Sequence, residues 1–446
     1  SIADASENNL NALADFMGSQ VDNIIGGDFD QEYFHSNATG ATSIDMAGGD
    51  DVLFVGLQEV RATTLDGGTG GDTLVVVDCD DGPETAVFDL DKGTFTDAWK
   101  IEHSFENFEI LLGSDADEIF YLRNPLYYFH ATDLAHAGGG NDTVIGMAMV
   151  PLDAGDGDDL LLVDFGEITA GAGNDTITGY APKVEGGLGD DVITLTSTEG
   201  GDGLVIGGAG NDTIDLGIGE LDYSGLSLEG GIGIDADLST GEVQKGGEID
   251  SVTGGEILQT TNFNDTIYGT STFDEIYLQD GDDYFDRSGP EHVLDRYDDF
   301  TIYGGSGNDT LVSGQGNNHF VGEDGDDTFI VKKDSYARII GGEGSDTFLL
   351  ETLNSVTIDD NGEFGFDKIK LTAAVNNLDD RFNLYSLIEL FEGSDQNDTL
   401  YLRYYSNSVV DAGAGDDVLL IEHYGDPVVH GGSGNDHITV ERHIPE

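Results

Sequence analysis

A lone cysteine, Cys79, in 446 residues rules out an intrachain disulfide, so stability must come from elsewhere. Within VVVDCDDG that thiol reads as a small buried hydrophobe beside a turn. Seven prolines are too few for a Pro-rich linker. No apolar run approaches the ~20 residues of a membrane-spanning helix, so membrane insertion is not expected. Basic residues are scarce: 16 Lys+Arg face 89 Asp+Glu, a formal net charge of −73. Nucleic acid and anionic membrane surfaces need a basic footprint, which excludes both as default partners. Catalytic signatures are missing too, with no G-x-S-x-G elbow, H-E-x-x-H helix or phosphate loop. One Cys and ten scattered His offer no zinc or copper site. These absences point away from an enzyme.

What the chain does have is acid, glycine and repetition. Charge on this scale opposes compaction unless cations are bound. Yet 38% apolar residues, with 17 Tyr and 22 Phe, give the chain surface to bury, which argues against a disordered acidic tail. GGTGGDTLV from Gly67 recurs from Ala137, Ala154, Ala170, Gly186, Gly207, Gly304, Gly322, Gly341, Ala412 and Gly431, eleven copies in all. The shared pattern is G-G-x-G-x-D-x-U-x, with U a large apolar residue. MAGGDDVLF from Met46 and LQDGDDYFD from Leu278 are weaker copies, and SGQGNNHFV from Ser313 has Asn318 in place of the acid.

On these nonapeptides the chain resembles the RTX (repeats-in-toxin, haemolysin-type) calcium-binding family. The resemblance implies an all-β fold, a parallel β-roll or β-solenoid whose Gly-Asp loops bind multiple Ca2+ ions. Each ion would sit between loops of neighbouring same-edge coils, taking carbonyls and Asp carboxylates. Carried over position by position, the ligands would be Asp72, Asp142, Asp159, Asp175, Asp191, Asp212, Asp309, Asp327, Asp346, Asp417 and Asp436, with Asp51 and Asp283 from the weaker copies.

The chemistry agrees with that assignment. Gly at the first, second and fourth places permits positive φ and close backbone approach. Asp at the sixth adds a carboxylate, and calcium takes six to eight hard oxygens of both kinds. In the following strand Thr213 faces out and Ile214 in, by the period of two. From Ala137 the copies start sixteen or seventeen residues apart. That is one loop per two-turn coil, which puts the loops on one edge except around 304–330, where three copies run consecutively.

A longer repeat overlies the first. EILLGSDADE (109–118), EILQTTNFND (256–265) and ELFEGSDQND (389–398) align without gaps, and read as spacer blocks without ligand duty. DLDKGTF (89–95) and DLSTGEV (237–243) precede two of them as strand–turn–strand entries. Three modules follow: an N-terminal RTX-like module over 1–124, a central β-roll over 125–270 and a C-terminal β-roll over 271–446. The insertion YFDRSGPEHVLDRYDDF (284–300) carries Arg287, His292, Asp295 and Arg296, read as a surface loop with local ion pairs rather than a lyase or epimerase site. KKDSYAR (332–338), the densest basic patch, would suit an acidic surface on a neighbouring copy.

Repeats cover nearly the whole chain. The expected function is therefore an extracellular, calcium-dependent structural protein, folding on calcium and self-assembling as a surface layer, fibre or matrix. The alternative is an adhesin segment or a non-catalytic calcium-binding module of a secreted enzyme, with a polysaccharide or cell-surface partner. Secretion fits because cytosolic calcium is too scarce to drive folding. Even a dozen Ca2+ ions would leave roughly 50 net negative charges on the surface.

Overall fold

The computed structural model describes residues 23–25, 32–35, 43–56, 63–77, 85–97, 99–122, 133–148, 150–196, 203–226, 231–269, 273–288, 300–359, 365–384, 388–404, 408–424 and 426–442. Among them every regular element is a strand, and no helix is long and apolar enough to cross a membrane. The chain divides into two compact units, Ser1–Gly219 and Glu220–Glu446. Each is a parallel β-solenoid.

The apolar eighth place of the nonapeptide builds the interior. In the first unit Val144, Leu161, Ile177, Ile193 and Ile214 are register partners on successive parallel strands, and all are buried. In the second unit the same row reads Ile267, Phe285, Leu311, Phe329, Phe348, Ile369 and Phe391. Its rings stack, with Phe329 and Phe348 5.2 Å apart at 9°. Each such side chain contributes ~1.5–3 kcal/mol on burial, and the flanking residues of the strand alternate outward.

Two antiparallel meanders interrupt the parallel order. Ala86–Asp89, Thr94–Thr96 and Glu102–Glu106 form the first; Ile234–Asp237, Glu242–Lys245 and Glu248–Thr253 form the second. Both lie at the strand–turn–strand entries read from DLDKGTF and DLSTGEV. In the first meander the last strand pairs backwards, with Thr64–Asp66, and the first pairs forwards, with Glu118–Tyr121.

The expectation of a single loop-bearing edge needs correction. Strands Val52–Gly56 and Thr73–Val77 follow their loops, but the next strand in that sheet, Ile110–Leu112, precedes its loop. The loops of the first unit therefore change edge between Asp72 and Glu118. The second unit repeats the manoeuvre. Thr347–Leu350 and Asp367–Leu371 follow their loops, whereas their neighbour Ile388–Glu392 precedes one. From there the strands after the loops, Thr399–Tyr404, Val418–His423 and His437–Arg442, form a sheet of their own with Asn376–Leu384. Both exchanges coincide with a ten-residue block, 109–118 and 389–398.

A column of buried carboxylates

The loops stack through their backbones. Gly187 and Gly189, at the second and fourth places, have φ of 112° and 126°. A Cβ on either would fall within 2.0 Å of the carbonyl oxygen of Gly171 or Gly173 one coil earlier. Only glycine fits such an approach. The second place is less strict where the chain accepts strain: Ala47, Gln279 and Glu323 hold it at φ of 72°, 72° and 75°. That is how the weaker copies ending in Asp51 and Asp283 keep the loop shape.

The first place departs from expectation. Gly304 and Gly322 stand there without positive φ, and Ala137, Ala154 and Ala170 fill it as buried residues. Space there varies by loop: a Cβ on Gly304 would lie 2.4 Å from Asp309 Oδ2, whereas Met46 and Leu278 are buried at the same place in the weaker copies.

The sixth place carries the chemistry. Asp51, Asp72, Asp142, Asp159, Asp175, Asp191, Asp212, Asp283, Asp309, Asp327, Asp346 and Asp417 are all buried, each at most 2% exposed. Asp436, on the last coil described, is half-buried. One oxygen of each carboxylate is fixed by the coil before it. The amides of Asp142, Asp159 and Asp175 donate to Oδ1 of Asp159, Asp175 and Asp191 at 2.7, 2.8 and 2.9 Å. Asp283, Asp309 and Asp327 donate likewise to Asp309, Asp327 and Asp346 at 2.8, 2.9 and 2.9 Å. The series closes with Asp417 donating to Asp436 at 3.1 Å.

The other oxygen is different. Oδ2 of Asp72, Asp142, Asp159, Asp175, Asp283, Asp309, Asp327 and Asp417 is buried and meets no hydrogen-bond donor. A carboxylate so placed must bind a proton or a cation. Without a cation, burial pushes the Asp142 and Asp327 carboxyls up to about 8, Asp159 to about 7 and Asp283 to about 9. Asp175 and Asp309 rise to about 6 for the same reason. Backbone carbonyls and single carboxylates make an all-oxygen donor set, which suits calcium. Among the described residues no three His, Cys, Asp or Glu side chains converge on one point. That pattern follows when each coil supplies one carboxylate and the backbone supplies the rest.

Sequence reading missed several acids in these columns. Asp367 is buried and accepts the Asp346 amide at 2.8 Å; Gly365 and Ile369 kept the spacing, but Phe366 occupies the fifth place, which is Gly, Asn, Asp or Ser in the eleven copies. Glu118, Asp265 and Asp398 end the three blocks and are buried on the same columns. Their amides donate to Asp142, Asp283 and Asp417 at 2.8, 2.7 and 2.8 Å. Glu109 and Glu389, which open two of the blocks, end the preceding columns by accepting the amides of Asp72 and Asp367 at 2.6 and 2.8 Å.

Asn318 is on the opposite edge from Asp309 and Asp327 and holds its loop without an acid. Its Nδ2 donates to the carbonyls of Gly314, Gly316 and Tyr336 at 3.2, 3.0 and 3.1 Å. Arg287 is buried, donating to the Asn317 carbonyl at 3.0 Å and lying 4.6 Å over the Phe300 ring. It ties coils together. His292, Asp295, Arg296 and Cys79 lie outside the described residues. In the basic patch Lys332 and Arg338 meet Glu351 and Asp359 of their own chain, each at 3.6 Å.

The sequence profile of the RTX calcium-binding nonapeptide repeat matches residues 131–148, 167–181, 197–220, 259–289, 301–331 and 425–441. The chain carries RTX calcium-binding repeats. Multiple calcium ions are accordingly its cofactor. No curated protein sequence matches the chain. Among solved structures it is similar to a hyperactive, Ca2+-dependent, β-helical antifreeze protein from an Antarctic bacterium. That likeness has 16% identity and a TM-score of 0.12, covering 92% of this chain and 83% of the other.

The buried RTX carboxylates set the pH response of the calcium-free chain. Their pKa values when folded, about 6 to 9, exceed the ~3.9 of an unfolded Asp. A raised value contributes stability that is complete below pH ~4 and is lost as pH climbs through 6 to 9. His103 opposes this, since burial pushes it down, but it is one group against six. In chelator, circular dichroism should therefore show more β-structure at pH ~4.5 than at pH ~8. A flat profile would contradict the burial of these acids.

Proposed function

We propose that the protein is an extracellular structural protein that folds when calcium enters its loops and then self-assembles into a layer, fibre or matrix. The ions are held between stacked loops by Asp51, Asp72, Asp142, Asp159, Asp175, Asp191, Asp212, Asp283, Asp309, Asp327, Asp346, Asp417 and Asp436, together with loop carbonyls. What supports this reading is the set of buried acids Asp72, Asp142, Asp159, Asp175, Asp283, Asp309, Asp327 and Asp417, whose second oxygens lack a donor: the ion belongs to the stacking of coils, so it acts on folding rather than on a substrate. Scarce cytosolic calcium then favours folding outside the cell.

Assembly has its own support in the first unit. Tyr121, Leu160, Leu162 and Val192 are exposed on the outer face of the sheet, on neighbouring strands whose register runs Tyr121–Ile145–Leu162 and Leu160–Thr176–Val192. An apolar stripe on a chain of net charge −73 is a contact surface, and a second copy with its own charge screened by calcium fits it. Negative-stain electron microscopy of the full chain in millimolar calcium and in EGTA tests this. Ordered sheets or filaments only with calcium are expected. Monodisperse particles in calcium would favour an adhesin segment or the non-catalytic part of a secreted enzyme.

A further inference from the structure

Three loops on these columns differ from the rest at the second place. Loops 113–118, 260–265 and 393–398 carry Ser114, Thr261 and Ser394 there. None of the three has positive φ, whereas Gly, Ala47, Gln279 and Glu323 at that place do. In the changed conformation the side chain turns onto the loop's own acid. Ser394 donates to Asp398 Oδ2 from its amide at 2.7 Å and its hydroxyl at 3.0 Å. Thr261 donates its amide to Asp265 Oδ2 at 2.9 Å and its hydroxyl to Oδ1 at 2.8 Å. Ser114 does the same to Glu118 by amide and hydroxyl. The oxygen left bare in the glycine loops is satisfied here.

We infer that Ser114, Thr261 and Ser394 stand in for the calcium ion, so that these three loops close without metal. The inference rests on the reading of the other loops as calcium sites, and adds which loops are exempt and why. One residue decides: without positive φ at the second place its amide reaches Oδ2 in Thr261 and Ser394, its hydroxyl binds the same carboxylate, and together they supply the donors that a glycine loop must obtain from outside. Position in the fold gives the exemption a purpose. Two of the blocks start a column on a new edge, where among the described residues no earlier acid-bearing loop of that column precedes them.

Two of the blocks also adjoin meanders with metal-free cores of their own. In the first, Phe88 stacks between Phe95 and Phe120 at 5.3 and 5.1 Å. Buried His103 lies 4.4 Å from Phe95 and 3.2 Å from Asp97. In the second, buried Lys245 pairs with Asp250 at 3.0 Å, and Tyr223 donates to the same carboxylate at 2.8 Å. In a solenoid each coil is stabilised by its neighbours, so a coil that holds without calcium is a starting point for those that do not.

Hydrogen exchange of the full chain, followed by mass spectrometry in EGTA and in calcium, tests the inference. In EGTA the amides of Glu118–Tyr121, Thr266–Tyr268 and Thr399–Tyr404 should exchange about tenfold or more slowly than those of Thr176–Gly179 and Thr328–Val331; in calcium all five should be protected. Thr261→Gly and Ser394→Gly, which remove the hydroxyl and release the backbone to the positive φ of the other loops, should each remove the EGTA protection of their own strand while leaving the calcium state protected. Uniformly fast exchange in EGTA with uniform protection in calcium overturns the inference and leaves the calcium reading standing. Equal protection of all five strands with and without calcium overturns the calcium reading itself.

Discussion

Chelating calcium from the intact chain at neutral pH is expected to abolish most of its β-sheet circular dichroism, and millimolar calcium to restore it. Among the described residues each unit contains at least four carboxylates whose second oxygen is buried without a donor: Asp72, Asp142, Asp159 and Asp175 in one, Asp283, Asp309, Asp327 and Asp417 in the other. An uncompensated buried group costs on the order of 1–3 kcal/mol, and more when charged. Four of them match the ~5–15 kcal/mol that holds a whole domain together. Calcium at ten to a hundred times its dissociation constant contributes roughly 1.4–2.7 kcal/mol per site, besides removing those penalties. The rows of Phe and Ile alone do not offset four such acids per unit, each either charged and uncompensated or protonated against its ordinary titration, together with the field of a −73 chain. Native-like circular dichroism in EGTA would refute this account.

Asp327→Asn is expected to change the sign of its effect with calcium. Asp327 Oδ1 accepts the Asp309 amide at 2.9 Å, Oδ2 has no donor, and burial pushes the carboxyl up to about 8. In calcium the substitution removes what we propose to be a ligand between neighbouring loops, costing roughly 1.4–2.7 kcal/mol for each site lost. In EGTA it removes a buried charge instead and supplies an amide donor. Asn318 illustrates that arrangement, since its Nδ2 satisfies three carbonyls in a loop without an acid. The urea midpoint should therefore fall in calcium and rise in EGTA at pH ~8, by an amount corresponding to ~1–2 kcal/mol in the latter case. A fall in both conditions would mean that Asp327 is held by protein contacts alone.

The same comparison shows how far the sequence reaches. The register of the nonapeptide determined by itself where the acids stand, because a six-residue loop and a three-residue strand leave each Asp one fixed place. Leu161, Ile177 and Ile193 were legible as an interior row for the same local reason, the period of two. The weaker copies ending in Asp51 and Asp283 were legible as loops of the same kind from the fourth-place glycine and the acid, although Ala47 and Gln279 had to accept positive φ.

Other features depended on contacts between coils. Which edge a loop occupies follows from which strand pairs with which, so the crossings before Glu118 and Asp398 are invisible to a local repeat. Asp367 was hidden by Phe366 in the fifth place, and its acceptance of the Asp346 amide reveals it. The acids at the sixth place are buried in one register, as the repeat implies. Sequence determined the carboxylate at the sixth place; tertiary structure decided whether its second oxygen meets a hydroxyl, as at Asp398, or nothing, as at Asp327. The physical reason is that this choice turns on a backbone φ and on a neighbour's position, and neither is encoded in the repeat.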